Sequence, residues 1–299
     1  MTLYEQISSN KKKTFLLIGI FFIVIGLLGY ALGIYFGDAY LGMVFAFIFS
    51  ILMTLISFYS GDRMILSMSG ALPADRKKYP HLINTVEGLA IAAGLEAPKV
   101  YVIEDSAINA FATGRNPEHA CITVTSGAIQ RLKRDELEGV IAHEMSHIKN
   151  YDIRVMMLVV VLVGVIALLS DLFLRSFIYG RRRKEGGEGG GVVVAVIFVL
   201  GIILAILAPL IAQLIKFAIS RKREFLADSN GALLSRNPQG LANALKKIRD
   251  DKEPLVEAAN KATAHLFIEN PLRTFGGRVN NLFSTHPPIE ERIKILERS

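Results

Sequence analysis

The stretch AHEMSHIKNYD, residues 142–152, holds the side chains best suited to chemistry. His143 and His147 are four positions apart, so on a helix both imidazoles lie on one face and can bind one metal ion. Glu144 is beside them and can act as a general base on a water molecule at that ion. The surrounding helix is largely apolar, and burying these polar groups there without a partner would be costly. The spacing therefore predicts a zinc site.

A catalytic zinc usually has three protein ligands and one open position, so a third ligand must come from elsewhere in the chain. The best candidate is REFLADSNGA, where Glu224 and Asp228 are again four positions apart on one helical face. Glu224 can bind a metal, and Asp228 can accept a hydrogen bond from the free ring nitrogen of a ligand histidine. The alternative is a solvated acidic face paired with Arg221 and Arg223. The two-histidine site that lacks a ligand favours the first interpretation.

The elements around these residues indicate a membrane protein. The chain has 299 residues, is 52% hydrophobic and has a mean hydropathy of +0.40, which is too apolar for a typical soluble enzyme. Each apolar run is about long enough to cross a bilayer, which takes roughly 20 residues of helix. Four buried core helices would need more partner surface than the rest of the chain offers. The runs are residues 14–36, 39–60, 155–178 and 192–219.

The positions of the charges support a bilayer as partner rather than nucleic acid. The net charge is +7, but many basic residues flank the apolar runs, as at Lys11 to Lys13. No basic face with interleaved aromatic residues indicates nucleic-acid binding. The first run is too long for a signal peptide, so we interpret it as a retained anchor. The single cysteine, Cys121, excludes an intrachain disulfide and fits a reducing compartment.

We therefore divide the chain into four parts: a transmembrane hairpin at 1–60, a first polar part at 61–154 with the two-histidine helix, a second apolar hairpin at 155–219 and a second polar part at 220–299 with the third ligand. The first polar part should contain a helix, then strands at Lys99 to Glu104 and Ala120 to Gly127. Asp135 with Glu138 predicts the capped start of the metal-binding helix.

Four motifs together resemble the HtpX family of integral-membrane zinc metalloproteases, relatives of the CAAX prenyl protease. They are NAFATG, AHEMSHIKNYD, REFLADSNGA and STHPPIEERI, in the order of the family, and the resemblance covers essentially the whole chain. It implies a mainly α-helical membrane protein in which transmembrane helices accompany an α+β zincin-like protease domain with a small sheet. It also implies a zinc metalloendopeptidase with one Zn²⁺ per subunit and polypeptide substrates. The two polar parts, 61–154 and 220–299, would then be the first and second parts of the protease domain, together called the protease part.

The resemblance extends to individual residues of the site. It implies that Glu224 is the third zinc ligand and that Asp228 orients a ligand imidazole. It also gives His286, together with Arg292, a role in steadying the oxyanion that develops during hydrolysis.

A substrate-binding strand is implied by the same resemblance. NAFATG would be an edge strand to which the substrate backbone is added, through Asn109, Ala110, Phe111 and Ala112.

The expected activity is hydrolysis by a zinc-activated water, with Glu144 as the proton carrier. If the metal-binding helix simply continues, Val155 lies about 12 Å beyond His147 at 1.5 Å per residue. The site would then lie at the membrane surface. We expect a multi-pass protein of the cell membrane whose protease domain faces the cytoplasm and removes misfolded or damaged membrane proteins during stress.

One topological conflict and two rival functions stay open. Glu224 must be on the same side as His143, which places Arg181 to Lys184 across the membrane if the second hairpin spans it; a shallow hairpin removes the conflict. A transporter would have ionisable residues inside its spans, and runs one, two and four have none in their centres. An inactive scaffold would have lost Glu144.

Overall fold

Two long helices open the chain. A computed structural model describes residues 3–165, 221–251, 266–268 and 287–299. Helix α1 (Leu3–Phe36) and helix α2 (Ala39–Met68) are joined by the turn at Gly37 and Asp38, as the sequence predicts. The Asp38 carboxylate accepts a hydrogen bond from the Leu41 N–H at 3.0 Å and so caps α2. Both helices are longer than the apolar runs that predicted them.

The hairpin is packed closely through small residues and presents apolar side chains outward. A Cβ at Gly29, Gly33 or Gly42 would collide with the facing helix, so these glycines set the close approach of α1 and α2. Outside this contact, large apolar side chains such as Phe15 and Phe45 are mostly exposed. By length and composition, both helices can cross a membrane, and the exposed apolar surface is what lipid would cover.

A small mixed sheet follows the hairpin. Its strands are β1 (Leu72–Pro73), β2 (Lys99–Ile103), β3 (Ala110–Gly114) and β4 (Ala120–Thr125), in the order β1-β2-β4-β3. Strands β2 and β4, both predicted from alternation, pair in parallel, whereas β3 pairs antiparallel with β4. Within the described residues, β3 is therefore an edge strand of the sheet.

Helices pack against the sheet and against each other to form the core of the protease part. The central helix, α5 (Arg134–Lys149), contacts β3, and the helices that follow it in the described C-terminal region also pack against it. The helices are α3 (Pro80–Ala93), α4 (Ser126–Arg131), α5 (Arg134–Lys149), α6 (residues 152–165, where the described segment ends), α7 (Arg221–Ser235), α8 (Pro238–Asp250) and α9 (Ile289–Leu296).

Both ends of α5 differ from the prediction. Glu136, rather than Glu138, closes the first turn, because its carboxylate accepts the Lys133 N–H at 2.6 Å. The helix also does not continue to Val155: it ends at Lys149, and Tyr151 has a left-handed backbone with φ of 61°. This conformation is strained for a bulky side chain, and it turns the chain through a corner before α6 begins.

The described part is mainly helical with one small sheet, which confirms the predicted secondary-structure class. The division of the chain into four parts stays a prediction. Only the start of the third apolar run, up to residue 165, is described, and the fourth run and Arg181 to Lys184 lie outside the described residues.

Candidate metal centre

Three buried side chains converge between α5 and α7. The Nε2 atoms of His143 and His147 are 3.2 Å apart. The Glu224 carboxylate oxygens lie 3.7 Å from His143 Nε2 and 3.6 Å from His147 Nε2. These ligand atoms all lie within 4.8 Å of one another, so the group can hold a metal ion. The structure thus brings together the three residues that the sequence put forward as ligands.

The hydrogen bonds of the two imidazoles show that a cation fits between them. Each Nδ1 faces a carboxylate, so the proton of the neutral ring lies on Nδ1 and Nε2 is an acceptor. Two acceptor atoms therefore face each other at 3.2 Å, beside the carboxylate of Glu224. A cation between the two Nε2 atoms makes this arrangement favourable, and a bound metal ion would take the place of the proton that His147 otherwise carries there.

His143 is held from behind by a buried ion pair. Its Nδ1 is 2.9 Å from Asp228 Oδ1, and Asp228 accepts two hydrogen bonds from Arg292, at 2.7 and 2.8 Å. Burial alone would raise the pKa of Asp228, but the charge and hydrogen bonds of Arg292 hold that pKa well below its usual range. Burial lowers the pKa of His143 despite the bond with Asp228. The ring is therefore held neutral, as a metal ligand requires.

His147 is held by a different carboxylate, that of Asp152. Its Nδ1 is 3.1 Å from Asp152 Oδ2. Burial lowers the pKa of His147, but the bond with Asp152 and the charge of Glu224 outweigh burial and raise that pKa to about 9. Asp152 is within the stretch that predicted the site, yet sequence reasoning gave it no role, because only the turn at Tyr151 brings it back to the ring.

Glu144 lies next to the edge strand. Its side chain is buried, and the backbone of Ala112 in β3 is among the groups that lower the pKa of its carboxyl group. Burial raises the pKa of Glu144 to about 7, above that of an ordinary carboxyl group. A carboxyl group with a pKa near neutrality can both accept and return a proton.

A close helix contact sets the position of the third ligand. A Cβ on Gly231 would lie 2.9 Å from the backbone nitrogen of His143 and 3.1 Å from its Cα. Glycine at this point lets α7 approach α5 closely enough for Glu224 and Asp228 to reach the two imidazoles. Neither carboxylate belongs to the solvated face that was the alternative prediction, since both are buried.

The other predicted site residues lie around this centre. Asn109 directly precedes β3, which contains Ala110, Phe111 and Ala112. Along this edge, Ile268 N–H donates to the Ala110 carbonyl at 3.0 Å, a contact that the sequence did not suggest.

Arg292 is fully buried behind His143, against Asp228, and also donates to the Ile268 carbonyl at 3.2 Å. Its oxyanion role stays a prediction. His286 lies outside the described residues.

Cysteine chemistry does not compete with this centre. Cys121 is buried in β4, and burial raises the pKa of its thiol to about 12. A thiol with that pKa is almost entirely protonated at neutral pH and is a poor nucleophile.

Comparison with known proteins identifies the family. Residues 76–299 match peptidase family M48. A protease HtpX homolog from Caldanaerobacter subterraneus subsp. tengcongensis is 47% identical over 299 residues, covering 99% of this chain and 97% of the relative. One from Dictyoglomus thermophilum is 46% identical over 295 residues, covering 99% and 94%. The crystal structure of S. mikatae Ste24p superimposes with a TM-score of 0.50 at 18% identity, covering 98% of this chain and 67% of that one.

The chain belongs to peptidase family M48, and the predicted resemblance to HtpX proteases is confirmed. It is a metallopeptidase, and the family implies a metal for which the His143, His147 and Glu224 group is available. The similarity to Ste24p concerns the fold and agrees with the predicted fold class of a helical membrane protein with a small sheet. The substrates of a peptidase are polypeptides, as predicted.

Proposed function

We propose that this chain is a zinc-dependent endopeptidase of the cell membrane that cleaves misfolded or damaged membrane proteins. The observation that carries the proposal is the pair of facing Nε2 atoms with Glu224 and Glu144 beside them. Zinc bonds of about 2.0–2.2 Å at tetrahedral angles place neighbouring ligand atoms about 3.3–3.6 Å apart. The corresponding separations here are 3.2, 3.6 and 3.7 Å, which supports a single zinc ion as the occupant.

The protein residues have separate tasks in this proposal. His143, His147 and Glu224 would hold the zinc, which when bound supplies Lewis acidity and lowers the pKa of water. Glu144 accepts a proton from the attacking water at its carboxylate and returns it to the leaving amine. Asp228 and Asp152 keep the proton of each ligand imidazole on Nδ1 and fix both rings.

The experiment that tests the chemistry is Glu144→Gln in the purified full-length protein. The ligands remain, so zinc content should stay at one per chain while cleavage of an unfolded protein such as casein is lost. Glu138→Gln is a matched control on the same helix and should retain both zinc and activity. Cleavage at the wild-type rate by the Glu144→Gln variant would exclude the mechanism.

The substrate backbone is proposed to pair with the edge of β3. The packing of β3 against α5 supports this, because it places the strand beside the helix that carries Glu144, the proton carrier. Peptide substrates with one backbone amide methylated near the cleaved bond should show a raised KM, since an added strand uses those N–H groups. An unchanged KM for every methylated position would argue against strand pairing.

His286 is proposed to stabilise the oxyanion, whereas Arg292 is better placed to position Asp228. His286→Ala should then lower kcat without loss of zinc, and Arg292→Ala should lower zinc affinity. A loss of zinc in His286→Ala would make that residue part of the metal centre instead.

The quality-control function is supported by the contact between the centre and the membrane hairpin: Asn10, just before the first apolar run, donates to Asp152, which contacts His147. We expect a purified membrane protein to be cleaved faster after heat misfolding than in its folded state. Equal rates for the two forms would argue against selection of misfolded chains.

The protease part is proposed to face the cytoplasm in a multi-pass chain. Single cysteines in a Cys121→Ser background test this with a membrane-impermeant thiol reagent on intact cells. A cysteine at Asp38, exposed in the hairpin turn, should be labelled from outside, whereas one at Gln239, exposed in the protease part, should be protected. Labelling at Gln239 would invert the orientation. A cysteine at Gly187 distinguishes a spanning second hairpin, labelled from outside, from a shallow one.

A further inference from the structure

We propose that Asn10, in the N-terminal helix α1, is a positioning residue of the metal centre. It acts on the Asp152 carboxylate, which in turn orients the imidazole of His147. The inference rests on the proposed metal-binding role of His143, His147 and Glu224. It makes the first membrane helix part of the site rather than an anchor only.

The side-chain amide of Asn10 is buried, and its contacts fix its orientation. Its Nδ2 donates to Asp152 Oδ1 and to the Asn150 carbonyl, both at 2.8 Å. Its Oδ1 accepts a hydrogen bond from Arg223 Nη1 at 3.0 Å. A flipped amide would place oxygen against two acceptors and nitrogen against a guanidinium, so only one orientation satisfies these partners.

The contact with Asp152 determines where the other oxygen of that carboxylate points. Asp152 is buried, and a buried carboxylate needs hydrogen-bond partners on both oxygens. Its Oδ1 is held by Asn10 at 2.8 Å, with Arg223 Nε at 3.5 Å, while Oδ2 is 3.1 Å from His147 Nδ1. Fixing Oδ1 therefore aims Oδ2 at the ligand ring.

Asn10 also stabilises the corner that makes this geometry available. Its bond to the Asn150 carbonyl ties α1 to the end of α5, immediately before the left-handed Tyr151. On the next residue of α1, the Lys11 ammonium lies 5.3 Å from the centre of the Tyr151 ring. Two successive residues of α1 thus hold the strained turn that returns Asp152 to His147.

The same amide connects the two metal-binding helices. Arg223, which donates to Asn10, directly precedes the ligand Glu224 on α7, whereas Asp152 follows the end of α5. Asn10 therefore contacts Asp152, which orients the ligand His147, and Arg223, which is next to the ligand Glu224. The bond from Arg223 thereby fixes the orientation of the Asn10 amide, which then donates to Asp152.

The test is zinc affinity of the full-length protein in detergent, measured by competition with a chelator. Asn10→Leu, of similar size, should bind zinc roughly 3- to 30-fold more weakly, less than the 10- to 100-fold loss typical when a carboxylate partner of a ligand is removed. Asn10→Asp, which keeps the acceptor for Arg223 but loses the donor for Asp152, should also be weaker. Thr14→Val is the matched control: it removes a buried hydrogen bond to the Asn10 carbonyl, one turn along α1, without touching Asp152, and should bind zinc normally.

A double-mutant cycle separates positioning from a general effect on folding. In an Asp152→Ala background, Asn10→Leu should cause little further loss of zinc affinity, because the residue through which it acts is gone. Losses that multiply in full would overturn the inference, as would wild-type affinity in Asn10→Leu. A wild-type protein that binds no zinc would instead refute the proposed function, and the inference with it.

Discussion

Each of the two ligand imidazoles is oriented by a buried carboxylate at its Nδ1, but different regions of the molecule hold the two carboxylates. Behind His143, Asp228 and Arg292 form a closed, fully buried pair whose members both belong to the protease part. Behind His147, Asp152 is held by Asn10 of the membrane helix and by the longer contact with Arg223. One support depends on a single strong pair. The other is shared between several weaker contacts, so losing any one of them should have a smaller effect.

The largest difference in stability should appear between variants of the two arginines, Arg292 and Arg223. Arg292→Met leaves the Asp228 charge buried without its partner and should lower the free energy of unfolding by about 3–5 kcal/mol. Arg223→Met should cost about 1 kcal/mol, because its contact with Asp152 is 3.5 Å long and Asn10 still donates a hydrogen bond to the same carboxylate oxygen. Urea denaturation measures both values. Equal losses would remove the distinction between the two supports.

The carboxylates should differ less than the arginines. Asp228→Asn and Asp152→Asn should each lower zinc affinity by roughly 10- to 100-fold, as expected when the partner of a ligand histidine is changed. Asp228→Asn should have the larger effect, since it also leaves the Arg292 charge beside the metal without its carboxylate. Chelator competition measures the affinities, with the exposed Asp135→Asn on α5 as control. A larger loss in Asp152→Asn would reverse the comparison.

The packing beneath His143 can be perturbed without changing any polar group. Gly231→Ala adds a methyl group within 2.9 Å of the His143 backbone and should lower stability by about 1–2 kcal/mol. Gly88→Ala, in α3, meets nothing within 4 Å and should be neutral or stabilising by up to about 1 kcal/mol. Thermal denaturation of the two variants gives the contrast. Stabilisation by Gly231→Ala would show that α7 is not tightly held against α5.

The smallest effect is expected at Lys11. Lys11→Ala removes the cation–π contact with Tyr151 and should lower stability by about 0.5–1 kcal/mol, with zinc affinity nearly unchanged. Urea denaturation and chelator competition measure the two quantities. A tenfold loss of zinc affinity would show that the corner at Tyr151 depends on this contact more than on Asn10.

The same comparison explains what the sequence could predict. His143, Glu144 and His147 are related by one turn of helix, so their spacing reveals their common face. Glu224 and Asp228 could be found because the same spacing recurs and the site needed a ligand. Strands β2 and β4 followed from alternation, and α1 and α2 from their apolar runs.

The support of His147 could not be predicted, because it depends on backbone geometry and on distant contacts. A tyrosine at position 151 does not predict a left-handed backbone, whereas a glycine or an asparagine there would have done so. Without that turn, α5 was expected to continue, and Asp152 would have pointed away from the ring. Asn10 gave no signal either, since a polar residue before an apolar run is ordinary.

The buried pair of Asp228 and Arg292 has a consequence for the synthesis of the protein. Arg292 follows His143 by 149 positions, which a ribosome adding 5–20 residues per second needs roughly 7–30 s to make. Asp228 is itself made during that time, and until Arg292 follows it lacks its guanidinium partner, so the support behind the ring of His143 is incomplete. A chain still being synthesised therefore lacks the complete support of His143 until Arg292 has been made.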